Sequence, residues 1–218
     1  MELVSDFSIT QLTKSKFLIP QRVYFTQNNT KRVWDGIKEH SDVEILLFNI
    51  SRNVFILVKQ FRPAVYLSQT MSTVLKGSEM VDTGQYPGHL GVTIELCAGI
   101  VDKDLPCAEI ARAEVLEECG YNVPTDNFCK ITSFRNGSEI SGSLVTLYYA
   151  EVTDAMRESA GGGLAQEGEL IEVVELSIKE ARNLIYDETQ NREPCLLVAL
   201  QWFFHQIYPK METVSGKS

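Results

Sequence analysis

Gly99-Ile100-Val101-Asp102-Lys103-Asp104-Leu105-Pro106-Cys107-Ala108-Glu109-Ile110-Ala111-Arg112-Ala113-Glu114-Val115-Leu116-Glu117-Glu118-Cys119-Gly120-Tyr121 is the stretch that decides the fold. Pro106 suits the first turn of a helix, and Gly120 followed by Pro124 stops it. On a helix over 106–119 each residue turns by about 100°, so Ala108, Ala111, Val115 and Cys119 form a small apolar stripe suited to a sheet. Glu114, Glu117 and Glu118 lie on the adjoining arc, at i, i+3 and i+4. Like charges at that spacing destabilise a bare helix by about 0.2–0.5 kcal/mol per pair. No lysine lies one turn away to relieve them, and Glu109 falls on a different face. A merely solvated acidic face would oppose the packing stripe; these carboxylates border it. Three carboxylates with no His or Cys on their arc select a hard cation, magnesium or manganese, over zinc or copper.

Outward from this helix the chain reads as strands and short helices. Arg22-Val23-Tyr24-Phe25-Thr26 predicts a strand and Gln27-Asn28-Asn29-Thr30 a turn, giving a hairpin that continues through Trp34. Residues 43–49 and 54–58 are β-branched and apolar, an antiparallel pair near the core. Residues 66–90 show little periodicity and read as a long functional or mobile loop. Strands are expected over 92–96, 128–134, 143–152 and 170–176, and Gly161-Gly162-Gly163 reads as a flexible connector. Ser177-Ile178-Lys179-Glu180 is a capping box opening a helix, and Pro194 opens a last helix through Ile207. The order predicts an α+β fold, a mixed sheet flanked by helices, rather than the strict alternation of a doubly wound sheet. The expected organisation is an N-terminal β-hairpin region over 1–40, a catalytic-type domain over 41–209, and a flexible tail over 210–218.

Composition narrows the function classes. The 218 residues are 44% hydrophobic and 22% charged, which excludes disordered and low-complexity architectures. A formal net charge of −9 with no lysine or arginine block argues against nucleic acid or an anionic membrane as partner. Apolar runs such as 45–48 and 195–200 are too short to span a bilayer. The five cysteines lack C-x-x-C spacing, and no signal-peptide pattern opens the sequence, so a reduced cytoplasmic setting is expected. His40, His89 and His205 share no motif, and no G-x-x-x-x-G-K-[ST] occurs, so triads, zinc sites and P-loops lose their ingredients.

The order of residues resembles the Nudix box, G-x5-E-x7-R-E-U-x-E-E-x-G-U, where U is apolar. Gly99, Glu114, Val115, Glu117, Glu118, Gly120 and Tyr121 match it at full spacing. Leu105 stands where the family has Glu, and Ala113 where it has Arg, a pair that braces the loop–helix geometry in relatives. Leu57-Val58-Lys59-Gln60-Phe61-Arg62, Glu95-Leu96-Cys97-Ala98-Gly99 and Glu167-Gly168-Glu169-Leu170-Ile171 resemble motifs of the branch acting on nucleoside diphosphate sugars.

This resemblance implies the Nudix fold, an α/β/α sandwich with a mixed sheet plus N-terminal strands. It implies metal ligation by the Ala98 carbonyl, Glu114, Glu118 and Glu169, with Glu117 in the same shell and Glu167 as catalytic base. Mg2+ is the implied cofactor, with Mn2+ able to substitute. Arg62 is a candidate for phosphate or for pairing with a carboxylate, and Glu95 for a sugar hydroxyl. Trp34 could stack on a base, and Arg135 lies in the stretch that sorts substrates. The implied reaction is hydrolysis of UDP-glucose to UMP and glucose 1-phosphate. The alternatives are the same chemistry on ADP-ribose, and a non-catalytic Nudix nucleotide-binding module prompted by Leu105 and Ala113. In relatives the N-terminal strands cross to a second subunit, so a homodimer is implied.

Overall fold

A computed structural model of the chain describes residues 3–10, 12, 13, 15, 18–74 and 80–215. Two antiparallel strands come first, β1 (Ile19–Gln27) and β2 (Thr30–Lys38), forming a ribbon of their own. Asn28 and Asn29 both take positive φ, 48° and 61°, the turn that an Asn pair suits and that matches the twist of a two-residue hairpin. Val23, Tyr24, Val33 and Trp34 remain exposed on the ribbon.

The main sheet is built on β3 (Ser41–Asn49) and β4 (Val54–Phe61). Their antiparallel pairing covers only Leu47–Asn49 against Val54–Ile56, after which they splay. Into that opening runs a V: β5 (Val92–Glu95) pairs with β4, the chain turns at buried Leu96, and β6 (Cys97–Val101) returns along β3. β7 (Cys129–Asn136) and β8 (Ser143–Val152) extend one side, with β8 parallel to β3. β9 (Ile171–Ser177) flanks β4, and a two-residue β10 (Asn191–Arg192) lies parallel to β5. The sheet is therefore mixed, as expected.

Side chains along β3 alternate between two cores, as a pleated strand requires. Val43, Ile45 and Leu47 pack with Ile110 and Ala111 of α2 (Cys107–Glu114) and with Val115. Leu46 and Phe48 pack on the other face with Ala181 of α3 (Ile178–Leu184) and with Leu196, Leu200 and Phe203 of α4 (Pro194–Gln206). That is the α/β/α sandwich the sequence implied. The capping box forms as read: Ser177 caps Glu180 while the Glu180 carboxylate accepts from the Ser177 N–H at 2.8 Å. No helix among the described residues is long and apolar enough to cross a membrane.

Three segments differ from the sequence reading. The stretch taken as an irregular loop from residue 66 begins as α1 (Pro63–Val74), with Tyr66 and Thr70 buried one turn apart. Its polar Ser and Thr residues hid the period, and Thr70 bonds back to the Tyr66 carbonyl at 3.0 Å. Gly161, Gly162 and Gly163 are packed against the end of the carboxylate helix rather than forming a free connector. The last described residues include α5 (Tyr208–Ser215), within the stretch read partly as a tail.

A buried carboxylate on the α4 side makes stability depend on pH. Glu44 is buried and accepts a hydrogen bond from the Cys195 thiol; burial pushes its carboxyl up to about 7, with the charges of Glu193, Asp42 and Glu95 adding to the shift. The folded value lies above the ordinary 4.5, so the native state holds this proton more tightly than the unfolded chain. The stability it contributes is complete below about pH 4.5 and is lost as pH rises through about 7. Glu44→Gln is therefore expected to raise the melting temperature by roughly 5 °C at pH 8 and to change it little near pH 4.5. Equal melting shifts at both values would remove this account.

Candidate active site

α2 does not end as a regular helix. Val115–Cys119 forms a π-turn, closed by Gly120 in the left-handed conformation at φ 78°. Gly120 N–H donates to the Leu116 carbonyl at 3.1 Å and Tyr121 N–H to that of Val115 at 3.3 Å. A single wide turn of this kind shifts every later side chain around the axis and recurs at functional sites. Here it carries Glu117 and Glu118. The turn is held from below by Tyr121, whose hydroxyl accepts from Asn49 at 3.4 Å and Arg52 at 3.3 Å. Arg52 in turn pairs with Asp154 at 2.7 Å and with Glu175. The sequence carries no local signal for this network, because the side-chain pairs that tie it together lie 69–123 residues apart.

The V of β5 and β6 meets the π-turn directly. Glu118 is only 4% exposed, and a carboxylate oxygen accepts from the Ala98 N–H at 3.1 Å. The Glu114 side chain lies over Gly99 so closely that a methyl group there would overlap it. The box glycine is thus required by close approach rather than by backbone conformation. Burial pushes the Glu118 carboxyl up to about 8, against hydrogen bonds from the Cys97 thiol and the Ala98 amide, with Glu114 and Glu169 raising it further. Burial likewise pushes Glu114 up to about 7, with Glu117 and Glu169 adding and Lys103 opposing. Glu114 thus feels the charges of Glu117 and Glu169, and Glu118 those of Glu114 and Glu169, so the four carboxylates share one electrostatic neighbourhood.

The donors are hard oxygens, and Glu114, Glu118 and Glu169 form no ion pair among the described residues. Charge crowded and desolvated in this way is what a divalent cation neutralises, so the donor set fits magnesium or manganese. Among the described residues no three His, Cys, Asp or Glu are gathered at ligating distance, so the set is spaced rather than closed. Magnesium, which keeps several of its waters, is bound through few carboxylates.

Arg62 and Glu95 form a second, adjoining feature. The guanidinium donates from Nε at 2.8 Å and from a terminal nitrogen at 2.6 Å, one to each carboxylate oxygen. Gln60 adds a bond at 2.8 Å, and the Thr93 hydroxyl donates to the same carboxylate. Glu95 is 2% exposed and its oxygens are engaged by protein donors, a geometry that holds Arg62. The other expected residues fall elsewhere. Trp34 donates its indole N–H to the Glu139 carbonyl at 2.8 Å, and Arg135 donates to the Gly142 carbonyl at 3.1 Å. Both therefore brace the β7–β8 connection, and no hydrogen bond or ion pair joins them to the carboxylate cluster among the described residues. The Glu167 side chain lies outside the described residues; its backbone ends the single turn Ala165–Glu167. Leu105 and Ala113, the two departures from the box, are both exposed, so the missing brace leaves no buried charge behind.

No protein-family model matches the chain. Among curated proteins it is 39% identical to the uridine diphosphate glucose pyrophosphatase NUDT14 of Bos taurus, over 96% of this chain and 98% of the relative. It is 38% identical to the same-named protein of Mus musculus over 97% and 99%. A GDP-mannose pyrophosphatase of Escherichia coli O1:K1 / APEC is 31% identical over 80% of this chain and 86% of its own length. Likeness of this degree along nearly the full length of both chains shows descent, and the chain belongs to the Nudix hydrolase family, enzymes that hydrolyse diphosphate bonds.

Proposed function

We propose that the protein hydrolyses the diphosphate bond of UDP-sugars, converting UDP-glucose and water to UMP and glucose 1-phosphate. The observation that carries this reading is the near full-length similarity to two uridine diphosphate glucose pyrophosphatases. The crowded carboxylates around buried Glu118 support it, because a binding module has no use for charge held at such cost. The similarity to a GDP-mannose pyrophosphatase supports the wider class of nucleoside diphosphate sugars.

In this reading the Ala98 carbonyl, Glu114, Glu118 and Glu169 would hold Mg2+, or Mn2+ in its place. When bound, the metal supplies neutralising charge to the phosphoryl oxygens and lowers the pKa of water. The chain's own residues do the rest. Glu118 is oriented by the Ala98 amide, and Glu114 is brought over Gly99, so both carboxylates are aimed before substrate arrives. Glu95, itself held by Gln60, fixes the Arg62 guanidinium, whose remaining N–H groups would take a phosphate oxygen. Glu167 would accept the proton of the attacking water, with Glu117 in the same carboxylate shell. Trp34 and Arg135 would contribute to substrate selection through the β7–β8 connection they brace.

The ribbon of β1 and β2 supports a homodimer. A two-stranded hairpin is marginal by itself in water, and this one leaves Val23, Tyr24, Val33 and Trp34 exposed. Packing against a second copy would cover them. A cytoplasmic setting, without nucleic acid or membrane, completes the reading.

The reading is tested by product analysis on a panel of UDP-glucose, ADP-ribose and GDP-mannose, with and without Mg2+. UDP-glucose should give UMP and glucose 1-phosphate with the highest kcat/KM, and chelation should abolish turnover until Mg2+ or Mn2+ is restored. Metal-independent turnover, or none on any of the three, would overturn it. Glu118→Gln should lower kcat by at least about a hundredfold with an unchanged fold, and full activity would remove Glu118 from the ligand set. Glu95→Gln should raise KM by about tenfold with a smaller effect on kcat, through a loosened Arg62. Sedimentation should return the mass of two chains; a single-chain mass would remove the dimer.

A further inference from the structure

We infer that Gly163 is the positioning residue for Glu169: three docked glycines carry the Glu169 loop onto the π-turn, and the missing side chain at 163 sets where the Glu169 carboxylate lies. The inference rests on the proposed role of Glu169 in holding the metal.

Gly161, Gly162 and Gly163 all take left-handed backbone, at φ 72°, 115° and 76°. Few other residues tolerate three such conformations in succession. The result is a strap in which the Gly161 amide is held by the Ser159 hydroxyl and the next two amides point at the π-turn. Gly162 N–H donates to the Glu118 carbonyl at 2.8 Å, and Gly163 N–H donates to the Glu117 carbonyl at 3.2 Å. These are carbonyls that the end of a helix leaves without partners. A side chain on Gly161 would run into the Glu118 and Cys119 backbone, so the strap can lie this close only as glycine.

At its far end the strap holds Glu169 twice. Leu164 N–H donates to a Glu169 carboxylate oxygen at 2.9 Å, and Glu169 N–H donates to the Leu164 carbonyl at 3.3 Å. A Cβ at position 163 would stand 2.6 Å from that same carboxylate oxygen and 2.9 Å from the Glu169 Cβ. Four hydrogen bonds thus run from the backbone of Glu117 and Glu118 to Glu169, and the space over Gly163 is where its carboxylate rests. Glu114 over Gly99 repeats the device on the other side of the cluster.

Gly168 separates this role from backbone strain. It has φ 80°, nearly that of Gly163, but nothing lies within 4 Å of a Cβ built there. Both Gly163→Ala and Gly168→Ala should therefore lower the melting temperature through backbone strain, Gly163→Ala the more because its Cβ also meets Glu169 and Ile171. Only Gly163→Ala should weaken Mn2+ binding, read by electron paramagnetic resonance without substrate, by about tenfold, with a similar fall in kcat and little change in KM. In a Glu169→Ala background, Gly163→Ala should add no further loss of Mn2+ affinity. Equal Mn2+ binding by the two glycine variants, or full additivity with Glu169→Ala, would overturn the inference. If Gly163→Ala does not fold, Leu164→Pro reads the same link by removing the amide that holds the carboxylate, and unchanged Mn2+ binding would again overturn it. Wild-type protein that turns over no nucleoside diphosphate sugar would end the hydrolase reading, while the Mn2+ comparison would still judge Gly163.

Discussion

A sheet forced open by its own strands is the constraint from which the rest of the structure follows. β3 and β4 share three residue pairs and then diverge, and peptide groups left facing a gap must find partners. The V of β5 and β6 supplies them, satisfying β4 on its way in and β3 on its way out. Its apex, Leu96, is buried, which pins the depth to which the V can enter. Ala98 and Gly99 are thereby delivered beneath α2, and Glu95 beside Arg62. Both halves of the candidate site lie on the two arms of one inserted turn.

The burial this creates is costly, and the surroundings are arranged to sustain it. Glu118 and Glu114 give up water without gaining an ion pair among the described residues. The apolar core of Val43, Ile45, Ile110, Ala111 and Val115 directly beneath offsets that expense. The π-turn is secured on its other sides by the Tyr121–Asn49–Arg52 network and by the glycine strap. Leu105 and Ala113 are both exposed, so neither side chain is part of what holds the turn in place.

How much of this could be read in the sequence follows from the range of each interaction. The Asn28-Asn29 turn, the Ser177–Glu180 capping box and the strand over 143–152 are decided by near neighbours, and each forms where the residues indicate. The clustering of Glu114, Glu117 and Glu118 was legible because helical spacing is itself local. The π-turn is not: nothing in Val115-Leu116-Glu117-Glu118-Cys119 departs from helix chemistry, and the groups that tie it, Gly162 on Glu118 and Asn49 and Arg52 on the following Tyr121, are distant in sequence. Ser68, Thr70 and Ser72 obscure the period of α1, although Pro63 marks its start. The triple glycine is ambiguous because conformational freedom and close approach leave the same mark in a sequence, and only the tertiary neighbour distinguishes them.

The alternation of Ala98 and Gly99 along β6 has a consequence for assembly. Side chains on a strand exchange faces with each step, so a V seated one residue out of place would bring Ala98 under Glu114, where no methyl group fits. The same slip would turn Cys97 out of one core and Leu96 out of the other. A misthreaded chain would therefore give up packing in both cores and crowd the Glu114 side chain at the same time. The small residues under Glu114 thus act as a gauge for the sheet, penalising a slipped register at the place where the carboxylates lie.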